Sequence, residues 1–170
     1  MPFHWPDPPL QIVLVEPEIP PNTGNVARLC AATGSALHLI EPLGFKITDR
    51  HLRRAGLDYW PFVDLHRHSG WNEWLRDAAP ARRWLFSTGG AQSVYDVEFQ
   101  PGDALVFGCE SRGLSDEQLA AHPGRVVGIP LRRAAVRSLN LSGAVSIALY
   151  EALRQLHTIA VRHDGRKEEE

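Results

Sequence analysis

Cysteine is scarce in this chain: Cys30 and Cys109 are its only two thiols in 170 residues. Two thiols cannot build a disulfide framework, and their separation is not a metal-ligand spacing. Both are expected to be small buried hydrophobes in a reducing compartment. Any apolar run long enough to span a bilayer is also missing, so no membrane partner is expected. The opening stretch MPFHWPDPP lacks the basic and apolar regions of a secretory signal, and the expected location is the cytoplasm. Lysine is nearly absent. Of 18 basic residues 16 are arginines, set against 20 acids for a formal net charge of −2. That balance argues mildly against a nucleic-acid partner, but local clusters matter more than the sum. Arg50, Arg53 and Arg54 form one cluster, and Arg132, Arg133 and Arg137 another. Arginine is the better residue for bidentate phosphate contact. The eight histidines are scattered, His66 with His68 is no metal signature, and no metal is expected.

What is present is the composition of one ordinary globular domain, with 44% hydrophobic residues. Gln11–Val15 and Ala36–Ile40 are short apolar runs that read as buried strands. Between them Val26, Leu29, Cys30 and Thr33 recur at helical spacing, from about Asn22 to a terminal Gly34. Asp49 caps an expected short helix through Ala55. A weaker strand follows at Phe62–His66, then a helix over Gly70–Ala79 and a strand at Trp84–Ser87. Ala104–Gly108 and Arg125–Ile129 are the last strands, separated by a helix that Ser115 and Gln118 start as a capping box. Leu141, Ala144, Val145, Ala148, Leu149, Ala152, Leu153 and Leu156 then make one long apolar stripe. Near-continuous apolar strands alternating with helices predict an α/β domain with a largely parallel sheet covered on both faces. That domain is expected over residues 10–157, with tails at 1–9 and 158–170.

In such sheets ligands sit beyond the carboxyl ends of the strands. Three loops there stand out. In PEIPPNTGNVAR (17–28), Pro20 and Pro21 are expected to delay the helix until Asn22, which would cap it, and Arg28 falls inside it. A proline-rich turn with a surface arginine accounts for this equally well. In FGCESRGL (107–114), glycines 108 and 113 flank Glu110, suiting a backbone that passes close to a ligand or one that simply turns. In IPLRRAAVRSLNLS (129–142), a basic loop leads into Ser138-Leu139-Asn140, which could do no more than cap the last helix.

Taken together and in this order, the three segments resemble the motifs of SPOUT-superfamily RNA methyltransferases. EPEIPPNTGN, LRRAGLDY and SLNLSGAVSIALYEALRQL are most similar to the small tRNA (cytidine/uridine-34) 2′-O-methyltransferases, the TrmL (YibK-like) group. The similarity runs from Leu10 to His157. It implies a deep C-terminal trefoil knot, a homodimer, S-adenosylmethionine as methyl donor, and tRNA, leucine isoacceptors first, as substrate. By position it puts Ser87, Gly108, Ile129, Ser138 and Leu139 at the donor. It makes Arg28 the catalytic arginine, supported by Asn22, Glu110 and Asn140, and gives Tyr150 a role in tRNA contact or dimer packing. Arg50, Arg53 and Arg54 fall at i, i+3 and i+4 on one helix face beside Tyr59 and Trp60, either a solvated face or, as favoured here, an RNA backbone contact by Arg53 and Arg54. Arg137 is expected to contact RNA as well. Gly143 stands where close relatives carry asparagine.

Two rivals remain at this point: a ribose methyltransferase acting on rRNA, and an RNA-binding protein without activity. Methyl transfer from a sulfonium to a ribose hydroxyl needs in-line positioning above all, and somewhere for the hydroxyl proton to go. A guanidinium has donors but no acceptor lone pair. Arg28 either takes the proton after losing its own or stabilises the developing oxyanion while another group accepts it.

Overall fold

The computed structural model describes residues 3–46 and 59–164. Seven parallel strands form one sheet in the order β3-β2-β1-β6-β4-β7-β5. They are β1 (Gln11–Val15), β2 (Ala36–Ile40), β3 (Leu65–His68), β4 (Arg83–Phe86), β5 (Gln92–Ser93), β6 (Ala104–Phe107) and β7 (Val126–Gly128). The helices are α1 (Pro20–Thr33), α2 (Trp71–Asp77), α3 (Asp116–Ala120) and α4 (Leu141–Asp164).

Alternation along the strands divides the core in two. Ile12, Leu14, Leu37, Leu39, Trp84, Phe86, Leu105 and Phe107 face α1 and α4, where Val26, Ala27, Cys30, Val145, Leu149 and Leu153 complete one cluster. Val13, Val15, Ile40, Leu85, Ala104 and Val106 face the other way, onto Trp74 of α2 with Leu114 and Leu119. Central strands buried on both faces have no polar side to show, which is why they read as unbroken apolar runs. Cys30 and Cys109 are buried, and burial pushes the Cys30 thiol up to about 12. No helix among the described residues is long and apolar enough to cross a membrane.

Some local expectations need correcting, and one lies outside the described residues. Helix α1 begins at Pro20, not Asn22, with Ile19 at its N-cap and proline at the first helical positions. Proline lacks only an N–H that the first turn leaves unpaired anyway, so it starts a helix rather than delaying one. Asn22 is therefore not a cap. Residues Trp60–Phe62 form a 3-10 turn around Pro61, so β3 enters the sheet at Leu65, three residues later than the sequence suggests. Nothing in the sequence marks the two-residue strand β5. The expected helix Asp49–Ala55, with Arg50, Arg53 and Arg54, lies outside the described residues. The Ser115–Gln118 capping box, by contrast, is complete on both sides.

Candidate active site

β1 and β6 are neighbours in the sheet, yet the chain leaves them toward opposite edges. The β1–α1 and β6–α3 loops therefore part at this switch point, where α/β sheets open a crevice. A cavity of about 500 Å³ lies beyond the carboxyl ends of β4, β6 and β7. Phe86, Ser87 and Thr88 line it at the end of β4 and just beyond, Phe107 to Leu114 at the end of β6 and beyond, and Val127, Ile129 and Leu131 in β7 and beyond. Arg137, Ser138, Leu139, Asn140 and Leu141 close it from the start of α4, and Ile19 and Asn22 from the start of α1.

A polar chain ties these loops together. The buried Asn22 donates its side-chain N–H to Glu110 Oε1 at 2.9 Å. Asn140 in turn donates Nδ2–H to Asn22 Oδ1 at 2.9 Å. The Glu110 carboxylate also accepts the Glu18 N–H at 2.8 Å and the Ile19 N–H at 3.2 Å. Asn140 Oδ1 caps α4 at the same time, accepting Ser142 N–H at 3.0 Å and Ser142 Oγ–H at 2.7 Å. The capping explanation of Asn140 and its place in the site are thus both true of one side chain.

Gly108 lines the cavity and also lies against its own loop. A Cβ there would stand 2.0 Å from the Gly113 carbonyl carbon, so the close approach is backbone on backbone. Gly113 turns the loop at φ +75°. Of the described residues that the sequence singles out, Arg28 and Tyr150 do not line the cavity. Arg28 is exposed on the outer face of α1, its guanidinium carbon 5.7 Å from the centre of the Tyr59 ring. Tyr59 Oη–H donates to the Gly24 carbonyl at 3.1 Å, one helical turn before Arg28. Tyr150 is 54% exposed on α4. Sequence reasoning misses Tyr59 as a partner of Arg28, as well as Thr88 and Arg112 in the lining. Arg112 belongs to the second loop motif, which is the signal that could have found it; nothing local marks Thr88. No cluster among the described residues could hold a metal ion.

The chain matches the SpoU rRNA methylase family over residues 9–150. It is 54% identical over 150 residues to the tRNA (cytidine(34)-2'-O)-methyltransferase of Acidovorax sp. (strain JS42), an alignment covering 85% of this chain and 90% of that one. A structure solved for insight into the 2-OH methylation of C/U34 on tRNA superposes with a TM-score of 0.81 at 50% identity, over 86% of this chain and 95% of that chain. The SpoU methyltransferase AviRb from Streptomyces viridochromogenes, in complex with AdoMet, superposes with a TM-score of 0.73 at 25% identity, over 91% of this chain and 59% of its own. With a parallel sheet, a switch-point cavity and a family match over most of its length, the chain belongs to the SpoU rRNA methylase family.

Proposed function

We propose that this protein is an S-adenosylmethionine-dependent tRNA 2′-O-methyltransferase acting on cytidine or uridine at position 34, and that it works as a homodimer. The observation that carries the reading is the meeting of residues 19–22, 107–114 and 129–141 around one cavity, with Asn22 bridging Glu110 and Asn140. The names of relatives about half identical over most of the chain support tRNA over rRNA as substrate.

The cavity fits the methyl donor. Phe86, Phe107, Val127, Ile129 and Leu139 offer apolar surface for a flat heteroaromatic base, and Ser87, Thr88 and Ser138 offer hydroxyls for ribose and amino-acid groups. When bound, the donor supplies an electrophilic methyl on a sulfonium. On transfer, the new bond would join the ribose 2′-oxygen to the methyl carbon, the carbon–sulfur bond would break with its electron pair left on sulfur, and the hydroxyl proton would pass to water or a tRNA phosphate. The loops hold the two reactants in line, and the Asn22 bridge keeps the cavity walls at fixed separation.

Arg28 is exposed on α1 and is not among the residues that line its own chain's cavity. In the proposed dimer, Arg28 of one protomer serves the cavity of the other, orienting the ribose and stabilising charge on its 2′-oxygen. Residues 129–140 would complete the knot implied by the family resemblance, since they wall the cavity against the β6–α3 loop. Arg53, Arg54, Arg137 and Tyr150 are assigned to tRNA. Mass spectrometry of tRNA nucleosides tests the reading: purified protein and labelled donor should place one methyl on the ribose at position 34 of unmodified tRNA, leucine isoacceptors first. Label found only in rRNA fragments would replace the substrate, and no label in either would end the enzymatic reading.

A further inference from the structure

Glu18 and Glu110 each hold the backbone of the loop opposite, and only Glu110 lines the cavity. The base of the β6–α3 loop is fixed by its own backbone, with Gly113 N–H donating to the Cys109 carbonyl at 2.9 Å. Its tip, residues 110–112, is held from the β1–α1 loop instead. The Glu18 carboxylate accepts the Ser111 N–H at 2.9 Å on one oxygen and the Ser111 hydroxyl at 2.7 Å on the other. In return Glu110 accepts the Glu18 and Ile19 N–H groups. An exposed pair between Arg112 and Glu16, at 3.2 Å, adds little.

Glu18 is itself backed from behind. Gly44 N–H donates to the Pro17 carbonyl at 3.0 Å, and a Cβ on Gly44 would stand 2.8 Å from Glu18 Cα. The backbone at Glu18 is thus packed directly against that segment. Glu110, Ser111 and Arg112 line the cavity, whereas Glu18 is not among its described lining residues. Hydrogen bonds to an ionised carboxylate are the strong ones, and this pair crosses the point where the two loops diverge.

We infer that Glu18 is a positioning residue for the methyl donor: by clasping Ser111 it holds the 110–112 tip against the cavity and sets donor affinity without touching the donor. The inference rests on the cavity being the donor site, as proposed above.

Calorimetric titration of the full-length protein with S-adenosylhomocysteine tests it, with tRNA binding measured in parallel. Glu18→Ala should weaken S-adenosylhomocysteine binding about tenfold, and Ser111→Ala, which keeps the backbone donor, about threefold. tRNA affinity should stay within about twofold, a separation that general loss of structure would not produce. The double variant should bind no more weakly than Glu18→Ala alone, because Ser111 has nothing left to donate to. Additive losses, or affinities equal to wild type in both single variants, overturn the clasp. If Glu18→Ala does not fold, Ser111→Ala and Glu18→Gln decide it, and wild-type affinity in both overturns it. Wild-type protein that binds no S-adenosylhomocysteine would overturn the donor-site reading, and this inference with it.

Discussion

Asn140 shows how much a single amide can carry when both its ends are used. Its oxygen satisfies the first turn of α4 and its N–H reaches Asn22, so the start of a helix and the wall of a cavity are fixed by one rotamer. Arg28 is the opposite case: an exposed side chain placed by an aromatic ring, with no carboxylate partner among the described contacts. If it stabilises charge that appears only during transfer, its removal should act on the chemical step rather than on donor binding. Arg28→Ala should lower the single-turnover rate about 100- to 1,000-fold, as losing one oxyanion donor does. Donor affinity by calorimetry should be unchanged. Arg28→Lys keeps charge but not the planar fork, so a rate near wild type would assign a simple electrostatic role, and a rate near that of alanine would assign geometry. A near wild-type rate in Arg28→Ala removes the residue from the mechanism.

At the scale of elements, β2 and β3 carry a histidine cluster apart from the cavity. His38 Nδ1 and His68 Nε2 lie 2.9 Å apart, one of them donating, and the His38 ring stacks on His66 at 4.8 Å. Burial first, then His66 and His68, lower the His38 pKa to about 4, with Asp64 opposing. His68 is lowered too, by burial first and His66, against Glu73 and Asp77. The unfolded chain therefore binds protons before the folded one does. Stability from the neutral His38 is complete above about pH 6.5 and declines as pH falls toward about 4. The loss reaches a few kcal/mol at most, since each tenfold difference in proton affinity between the two states is worth about 1.4 kcal/mol. Urea unfolding at pH 7.5 and pH 5 should show this loss, and His38→Leu should flatten it; an equal slope in the variant returns the acid sensitivity to other groups. Arg53 and Arg54 belong to a second element, the helix expected from sequence. Replacing both with alanine should reduce the log–log salt slope of tRNA binding by about 1.4–1.8, at 0.7–0.9 per phosphate contact. An unchanged slope makes them solvated surface. Which elements are legible in the sequence follows from burial. The central strands β1, β2 and β6 are buried on both faces and almost wholly apolar, so they stand out at once, whereas β3 reads LHRH and β5 is two residues long, and both sit at sheet edges. The cavity loops are legible because glycine, proline and carboxylate follow directly on apolar strands. What sequence cannot supply is pairing across the switch point: nothing local says that Glu18 meets Ser111, or that Asn22 ignores its own helix to reach Glu110 and Asn140.

At the scale of the whole molecule, one chain supplies a walled cavity but carries its proposed catalytic arginine on an outer face. The proposed two-fold dimer would resolve this, because the same surface on each protomer can bring Arg28 to the other's site. Size-exclusion light scattering at micromolar concentration should give twice the 18.9 kDa chain mass, and a fully active monomer would refute it. Subunit complementation asks the sharper question. Arg28→Ala leaves the cavity intact; Leu139→Trp fills the cavity, which Leu139 lines, and leaves Arg28 intact. Each variant alone should be nearly inactive. Co-refolded in equal amounts, random pairing makes about half the dimers mixed, and each mixed dimer holds one open cavity opposite one intact arginine. Action across the interface therefore restores about a quarter of wild-type activity in the mixture, whereas action within one chain restores none, because every open cavity then sits on a chain lacking its arginine. Single-turnover methyl transfer to tRNA reads the difference directly. Native mass spectrometry of the same sample verifies that mixed dimers formed, so an inactive mixture containing them places Arg28 at the cavity of its own chain and overturns the exchange.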